Sequence, residues 1–332
     1  MASSIVRLED IPNLQQQIES RWSELHDASQ QRGGVFRYQL SIERERVTDG
    51  SAAFLLQLNR QRTTERRQPD IMAGLTPPFD PERFNFNKVD SRELMLEFTV
   101  GNVGTPLVSI LINNSPLTRN HVLIVPDRRR NLPQVLTEDG LTAAVQLLLN
   151  LQDRDYRVVY NSPGALASVN HLHLHLLHVK HKLYVEDACL TELGNGLYRM
   201  DNQPAKAYCS VFDALAGTTV SEFTRQVHRL IRLLIAHDFA HNFMLTWDGG
   251  RGKLRALVYP RLVACENKQV APFNVAASEL SGFVPLGVES TFEQLDERRL
   301  TAYFQEAQGK DLYRTLDGLL LLQDEKRPNA RD

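Results

Sequence analysis

Apolar positions along the chain recur at helical spacing in some stretches and alternate in others, and these two periods divide it into elements. A polar amphipathic helix is expected over residues 11–26. Gly33-Gly34 then breaks the pattern, and the apolar run 35–40 reads as a strand. A second strand, 53–58, leads into the basic loop Asn59-Arg60-Gln61-Arg62-Thr63-Thr64-Glu65-Arg66-Arg67 and the proline-rich turn 76–81. Strands at 93–98, 106–113 and 121–126, joined by short turns such as Asn114-Ser115-Pro116, predict an antiparallel meander. Residues 136–152 carry a helical stripe at positions 141, 144, 145, 148, 149 and 151, with Thr137 as N-cap. Extended structure resumes at 156–161, and 169–179 reads as one long strand of alternating character after the turn Ser162-Pro163-Gly164.

The second half loosely echoes this order. A connector rich in glycine and polar residues, 191–206, precedes a helix over 220–237 and strands at 241–247 and 254–259 around Asp248-Gly249-Gly250. Residues 295–322 are helical by pattern with a break at Gly309, and 323–332 form a charged tail. No exact repeat is present, so the echo suggests a degenerate duplication. The expected organisation is an N-terminal extension (1–34), a catalytic half (35–190), a degenerate second half with C-terminal helices (191–322) and a flexible tail (323–332).

Composition narrows the function classes. Thirty-eight Lys and Arg against 40 Asp and Glu leave a formal charge of −2, so no global field draws the chain to nucleic acid or an anionic membrane. Neither partner is expected, and any anion site must be local. The three cysteines, Cys189, Cys209 and Cys265, are widely spaced with no CxxC pair. They suit a reducing compartment, and Arg7, Glu9 and Asp10 stand where a secretory signal needs an apolar run. A cytoplasmic location is expected.

Five of the ten histidines fall between positions 171 and 181. In a strand, the period of two puts His171, His173 and His175 on one face and Leu172, Leu174 and Leu176 on the other. Same-face side chains then stand about 6.8 Å apart, so three imidazoles line a patch the size of a diphosphate. Three readings are compatible with this pattern. A structural ladder demands a hydrogen-bond partner for every buried imidazole. A metal site uses the commonest zinc ligand, yet no nearby Asp, Glu or Cys offers a fourth. The third reading is nucleophilic catalysis at phosphorus, in which one imidazole attacks and its neighbours polarise the phosphoryl oxygens. His121 and His178, lone histidines near strand ends, receive no role.

The run His171-Leu172-His173-Leu174-His175-Leu176-Leu177 fits the histidine-triad pattern, and its context is more specific. Tyr160-Asn161-Ser162-Pro163-Gly164 followed by Ala167-Ser168-Val169-Asn170 resembles the GDP-hexose phosphorylases of animals and plants. So do Gln57-Leu58-Asn59, Phe79-Asp80 with Phe84-Asn85-Phe86-Asn87-Lys88, Ser115-Pro116-Leu117 with His121 to Pro126, and Pro272-Phe273-Asn274-Val275-Ala276. The resemblance covers residues 35–290.

It implies an α+β fold of the histidine-triad (HIT-like) type, an antiparallel sheet covered by helices, and an enzyme that phosphorolyses a GDP-hexose. GDP-D-glucose and inorganic phosphate would give GDP and glucose 1-phosphate through a guanylyl-histidine. The middle histidine, His173, maps to the nucleophile, with His171, His175 and Ser168 as donors to the phosphoryl oxygens. Ser168 and Asn161 stand where triad enzymes contact phosphate or ribose. Asn85, Asn87 and Lys88 are candidates for nucleotide contact, and Arg66 and Arg67, with Arg60 and Arg62, for holding phosphate. Plant relatives tend to carry Gln at the position of His175. No metal and no cofactor are expected. The rival readings are a hydrolase or transferase of the same superfamily, and a non-catalytic GDP-sugar or metal binder.

Overall fold

The computed structural model describes residues 6–28, 34–65, 67, 69–101, 106–250, 252–262 and 273–325. Its strands in chain order are β1 (Val6–Arg7), β2 (Arg44–Val47), β3 (Leu55–Leu58), β4 (Leu94–Thr99), β5 (Leu107–Ile112), β6 (Val122–Pro126) and β7 (Tyr156–Asn161). There follow β8 (Leu174–His178), β9 (Leu190–Gly194), β10 (Leu197–Met200), β11 (Ala207–Phe212), β12 (Ala240–Trp247), β13 (Leu254–Arg261) and β14 (Phe283–Leu286). The helices are α1 (Leu14–Ala28), α2 (Arg60–Glu65), α3 (Glu138–Asn150), α4 (Tyr184–Asp187), α5 (Val220–Ala236), α6 (Ala277–Leu280), α7 (Glu289–Gln294), α8 (Glu297–Gln308) and α9 (Leu312–Glu325).

Among the described residues, eleven strands form one sheet in the order β1-β4-β5-β6-β8-β7-β12-β13-β11-β10-β9. That order is one pattern written twice. In the chain, three strands, a helix and two more strands (β4-β5-β6-α3-β7-β8) are followed by the same series (β9-β10-β11-α5-β12-β13). The two copies meet antiparallel at β7 and β12, where Asn242 faces Asn161 and Leu245 faces Val158. Both junction strands are buried almost throughout, as expected for strands covered on both faces. The boundary read at 190/191 falls at the first strand of the second copy.

Helices α1, α3 and α5 cover one face. There Leu172, Leu174 and Leu176 pack with Val158, Tyr160 and Phe243, so the leucine half of the alternation enters the core as its period requires. Thr137 caps α3 by accepting the Gly140 N–H at 3.1 Å, and a Thr219–Glu222 capping box starts α5. Across the sheet, a second layer made of β14-β3-β2 and helices α6 to α8 packs on Val159, Leu177, Met244 and Leu257. No helix among the described residues is long and apolar enough to cross a membrane.

Five expectations need correction. Residues 35–40 form no strand, because Phe36 packs against Trp22 and His26 and the Leu40 N–H donates to His26 Nε2 at 3.1 Å, turning the run into a cap over α1. The basic loop is partly helical, as α2. The polar connector 191–206 contains the hairpin β9–β10, which closes at Gly194-Asn195-Gly196 with three positive φ angles. The long strand at 169–179 shortens to β8, because the Leu172 N–H goes to Leu132 O at 2.8 Å and the His173 N–H to Gln134 Oε1 at 2.9 Å instead of to the β6 ladder. The expected tail 323–332 begins inside α9, which runs to Glu325, and residues 326–332 lie outside the described residues.

One ion pair is buried between β7 and α4. Arg157 Nε donates to Glu186 Oε1 at 2.7 Å, and Thr246 Oγ1 donates to the same oxygen at 2.7 Å. The Leu183 N–H serves Glu186 Oε2, while the guanidinium also reaches the Asp155 and Val179 carbonyls. Removing one member leaves a buried charge without its counter-ion. Glu186→Ala is therefore expected to lower unfolding stability by about 3–5 kcal/mol in a denaturant titration.

His241 on β12 is fully buried, and desolvation pushes its pKa down to about 4, outweighing a nearby Phe239 carbonyl that favours the cation. The unfolded chain takes up this proton near pH 6.5, the folded chain only near pH 4. Stability is thus fully expressed above about pH 6.5 and falls as pH drops towards 4, by up to roughly 3 kcal/mol from this residue. Urea unfolding at pH 7.5 and pH 5.0 should show a smaller loss in His241→Leu than in the native protein; an equal loss would refute the assignment.

Candidate active site

The His173 ring is anchored through Nδ1. Its Nδ1 lies 2.8 Å from the His171 carbonyl oxygen and 2.9 Å from Gln134 Oε1, both acceptors, so Nδ1 carries the proton and the neutral ring has its lone pair on Nε2. Gln134 cannot be turned round. Its Nε2 donates to Asn161 O and His173 O, each at 3.1 Å, which obliges Oε1 to face the imidazole and the His173 N–H. The glutamine is buried in the loop before α3.

A second chain of hydrogen bonds sets His175. The Leu117 N–H donates to His121 Nδ1 at 2.9 Å, so His121 carries its proton on Nε2, which meets His175 Nδ1 at 3.0 Å. The Asn113 amide nitrogen lies 3.0 Å from His121 Nε2 and 3.5 Å from the same His175 Nδ1. His175 Nδ1 therefore accepts, and its proton sits on Nε2. Complete burial, reinforced by the charge of Arg62, holds His121 well below the usual histidine pKa, so it stays neutral throughout. The His173 and His175 rings are 5.0 Å apart, edge to face.

A cavity of about 150 Å³ is lined by both of these rings. Ser168 and Asn161 are on its wall, as are Arg62 and Arg67. Arg62 Nη1 donates to Ser115 O at 2.8 Å, and Arg67 donates to Ser168 O at 2.6 Å, pairs with Asp70 and stacks over Phe84. Both guanidiniums are thus braced by the protein and keep further donors available. Asn161 Oδ1 accepts from Asn242 Nδ2 and from the Ala277 N–H, tying the first copy of the fold to α6.

His171 stands elsewhere. It is buried behind the cavity wall between Phe79 and Phe86, accepts the Phe86 N–H on Nδ1, and has its pKa pushed down to about 4 by burial. Its carbonyl, rather than its ring, meets the nucleophile. Ring nitrogens of the three histidines do not gather around one point; among the described residues the group that does is Asp153, Asp155 and His178, on the far side of the strand.

The nucleotide candidates are also redistributed. Asn85 caps the short helical turn Phe86–Lys88 through the Asn87 N–H, Asn87 bonds to Arg128 O and Asn131, and Lys88 bonds to Glu82 O. None of the three lines the cavity, whereas their neighbours Phe84 and Phe86 do. Arg66 lies outside the described residues. Residues that pattern reading passed over are Gln134, Asn113 and His121. His121 alone left a signal, as the first residue of a motif shared with the triad phosphorylases.

Residues 13–177 match the family described as GDPGP1-like, N-terminal domain. The chain is 32% identical to GDP-D-glucose phosphorylase 1 of Danio rerio over 87% of its own length and 84% of that protein's. Against GDP-D-glucose phosphorylase 1 of Homo sapiens it is 32% identical, over 86% and 80% respectively. GDP-L-galactose phosphorylase 2 of Arabidopsis thaliana is 26% identical over 80% of the chain and 67% of that protein. Among solved structures, yeast Ap4A phosphorylase Apa2 superposes with a TM-score of 0.62 at 16% identity, covering 88% of this chain and 94% of that one, a likeness of fold. Sequence similarity over almost the whole chain, with the triad and its bracing residues inside the matched region, places this protein in the GDP-D-glucose phosphorylase family.

Proposed function

We propose that the chain catalyses phosphorolysis of GDP-D-glucose to GDP and glucose 1-phosphate through a guanylyl group carried on His173. The observation that supports this most directly is the clamping of His173 Nδ1–H by two carbonyl oxygens, which makes Nε2 the basic nitrogen of a ring that lines the same cavity as Arg62 and Arg67. Nε2 forms a bond to the α-phosphorus as the bond from that phosphorus to the bridging oxygen breaks, and hexose 1-phosphate departs with the electron pair. Inorganic phosphate then attacks the same phosphorus, the N–P bond breaks, and its pair returns to Nε2.

A guanylylated ring that keeps Nδ1–H is cationic, and the two carbonyl oxygens at 2.8 and 2.9 Å stabilise that charge. In this reading His175 donates from Nε2–H to a non-bridging oxygen, and Ser168 adds a hydroxyl. Arg62 and Arg67 hold the β-phosphate and, in the second half-reaction, the incoming phosphate. His171 acts through its carbonyl and through Phe86. The free thiols of exposed Cys189 and buried Cys209 fit a reducing compartment, and we place the reaction in the cytoplasm.

Incubation with GDP-glucose in phosphate-free buffer is expected to give an acid-labile protein adduct of GMP mass that phosphate discharges as GDP. His173→Ala should form none and lose roughly three orders of magnitude or more in turnover; an equal adduct in that variant would sink the assignment. Gln134→Leu keeps the nucleophile and removes one acceptor from its Nδ1–H. It is expected to lower kcat by about 10- to 100-fold with little change in the KM for GDP-glucose. A rise in KM at unchanged kcat would mean that Gln134 shapes the cavity instead of the ring.

A further inference from the structure

Beside His173 the cavity wall turns apolar. Phe86 lies 4.9 Å from the His173 ring, Phe84 stands edge-on to Phe86 at 5.9 Å, and Val89, Leu111 and Leu123 continue the surface. Two carboxylates of the described residues line the cavity, Glu279 of α6, which accepts from the Ala276 N–H and Ser278 Oγ, and Glu93. Glu93, immediately before β4, is 9% exposed and lines the same cavity. Among the described residues it has two neutral donors, the Asp90 N–H on Oε1 at 3.2 Å and Asn114 Nδ2 on Oε2 at 3.4 Å, and no ion-pair partner. Arg37, also on the cavity wall, bears on Glu93 only through its more distant charge, and burial raises the carboxyl above its usual range.

The fold accounts for part of this residue. Glu93 closes a capping box with Asp90 around the turn Ser91–Glu93, but glutamine performs that task equally well. What glutamine cannot do is accept two hydrogen bonds side by side. A buried carboxylate at the cavity wall, met by one bond to a neutral group on each oxygen, retains acceptor capacity on both.

We propose that Glu93 is the residue that selects guanine, accepting the N1–H and the 2-amino group on its two carboxylate oxygens while Phe84 and Phe86 border the ring. This rests on the reading of the substrate as a GDP-hexose and adds to it the source of base discrimination. Guanine presents those two donors in parallel, a match for a carboxylate. Adenine presents N1 as an acceptor, so a lone pair would face the Glu93 charge in a desolvated site. Hypoxanthine keeps N1–H and lacks the 2-amino donor. Arg37 is positioned on the wall to serve the O6 and N7 acceptors, in the way arginine meets guanine elsewhere.

The test compares kcat/KM for GDP-glucose, IDP-glucose and ADP-glucose, each with phosphate, in the native enzyme and in Glu93→Gln. The native enzyme is expected to favour GDP-glucose over IDP-glucose by about 10-fold or more and over ADP-glucose by about 10²-fold or more. Glu93→Gln should shrink the GDP/ADP ratio at least about 10-fold, chiefly through loss on GDP-glucose, while its thermal midpoint stays near the native one because the capping box persists. An unchanged ratio in a folded Glu93→Gln enzyme overturns the proposal, and so does a native GDP/IDP ratio near one, a measurement that needs no variant. Absence of phosphorolysis of GDP-glucose by the native enzyme is a different result and overturns the functional reading itself.

Discussion

A neutral imidazole has one lone pair, and the nitrogen that holds it is decided by whatever binds the other nitrogen's proton. In this protein that decision falls on Gln134 and the His171 carbonyl, which take the Nδ1–H of His173. Gln134 is in turn oriented by the carbonyls of Asn161 and His173, one at the end of β7 and one just before β8. The adjacent central strands and the loop into α3 therefore specify a single tautomer. The early end of the β8 ladder is part of the same device, since the His173 N–H leaves the sheet to bind Gln134.

The same logic extends to the neighbouring histidine. A backbone N–H, that of Leu117, fixes His121, and His121 fixes His175. The turn that supplies this N–H is gripped from several sides: Gln57 Nε2 donates to Leu117 O, Arg62 to Ser115 O, and the Tyr38 hydroxyl to Pro116 O. Asn59 in turn accepts the Arg62 N–H. Segments Gln57-Leu58-Asn59 and Ser115-Pro116-Leu117, far apart in the chain, thus serve one purpose, the proton position on a buried and neutral imidazole. A buried network of this kind is stable only when its members are paired, which ties the segments to one another.

The second copy of the fold has no triad, yet the cavity depends on it. Asn242 on β12 donates to Asn161 Oδ1 and Ala165 O, and Arg261 on β13 donates to Asn242 Oδ1 and Val275 O. The degenerate half holds Asn161 and the start of α6, and through them the wall facing the histidines. Its strands pair with β7 because a continuous sheet requires hydrogen-bonded partners for that strand.

Much of this was legible in the residues themselves. Period-two alternation placed Leu172, Leu174 and Leu176 in the core and sent His173 and His175 to the opposite side, because side-chain direction in a strand is a local property. Helices α3, α5, α8 and α9, the break at Gly309 and most strands of the first copy were visible for the same reason, and the run of shared motifs pointed to the family. Local pattern could not separate His171 from its neighbours, since its exclusion from the cavity results from Phe79 and Phe86 packing in from about 90 residues upstream. Nor could it assign Asn85 and Asn87 to turn-capping, or find Gln134, whose partners are 27 and 39 residues away. Which amide caps a turn and which carboxylate lines a cavity is settled by long-range packing and by the demand that each buried polar group find a partner, and the linear sequence carries neither in its periodicity.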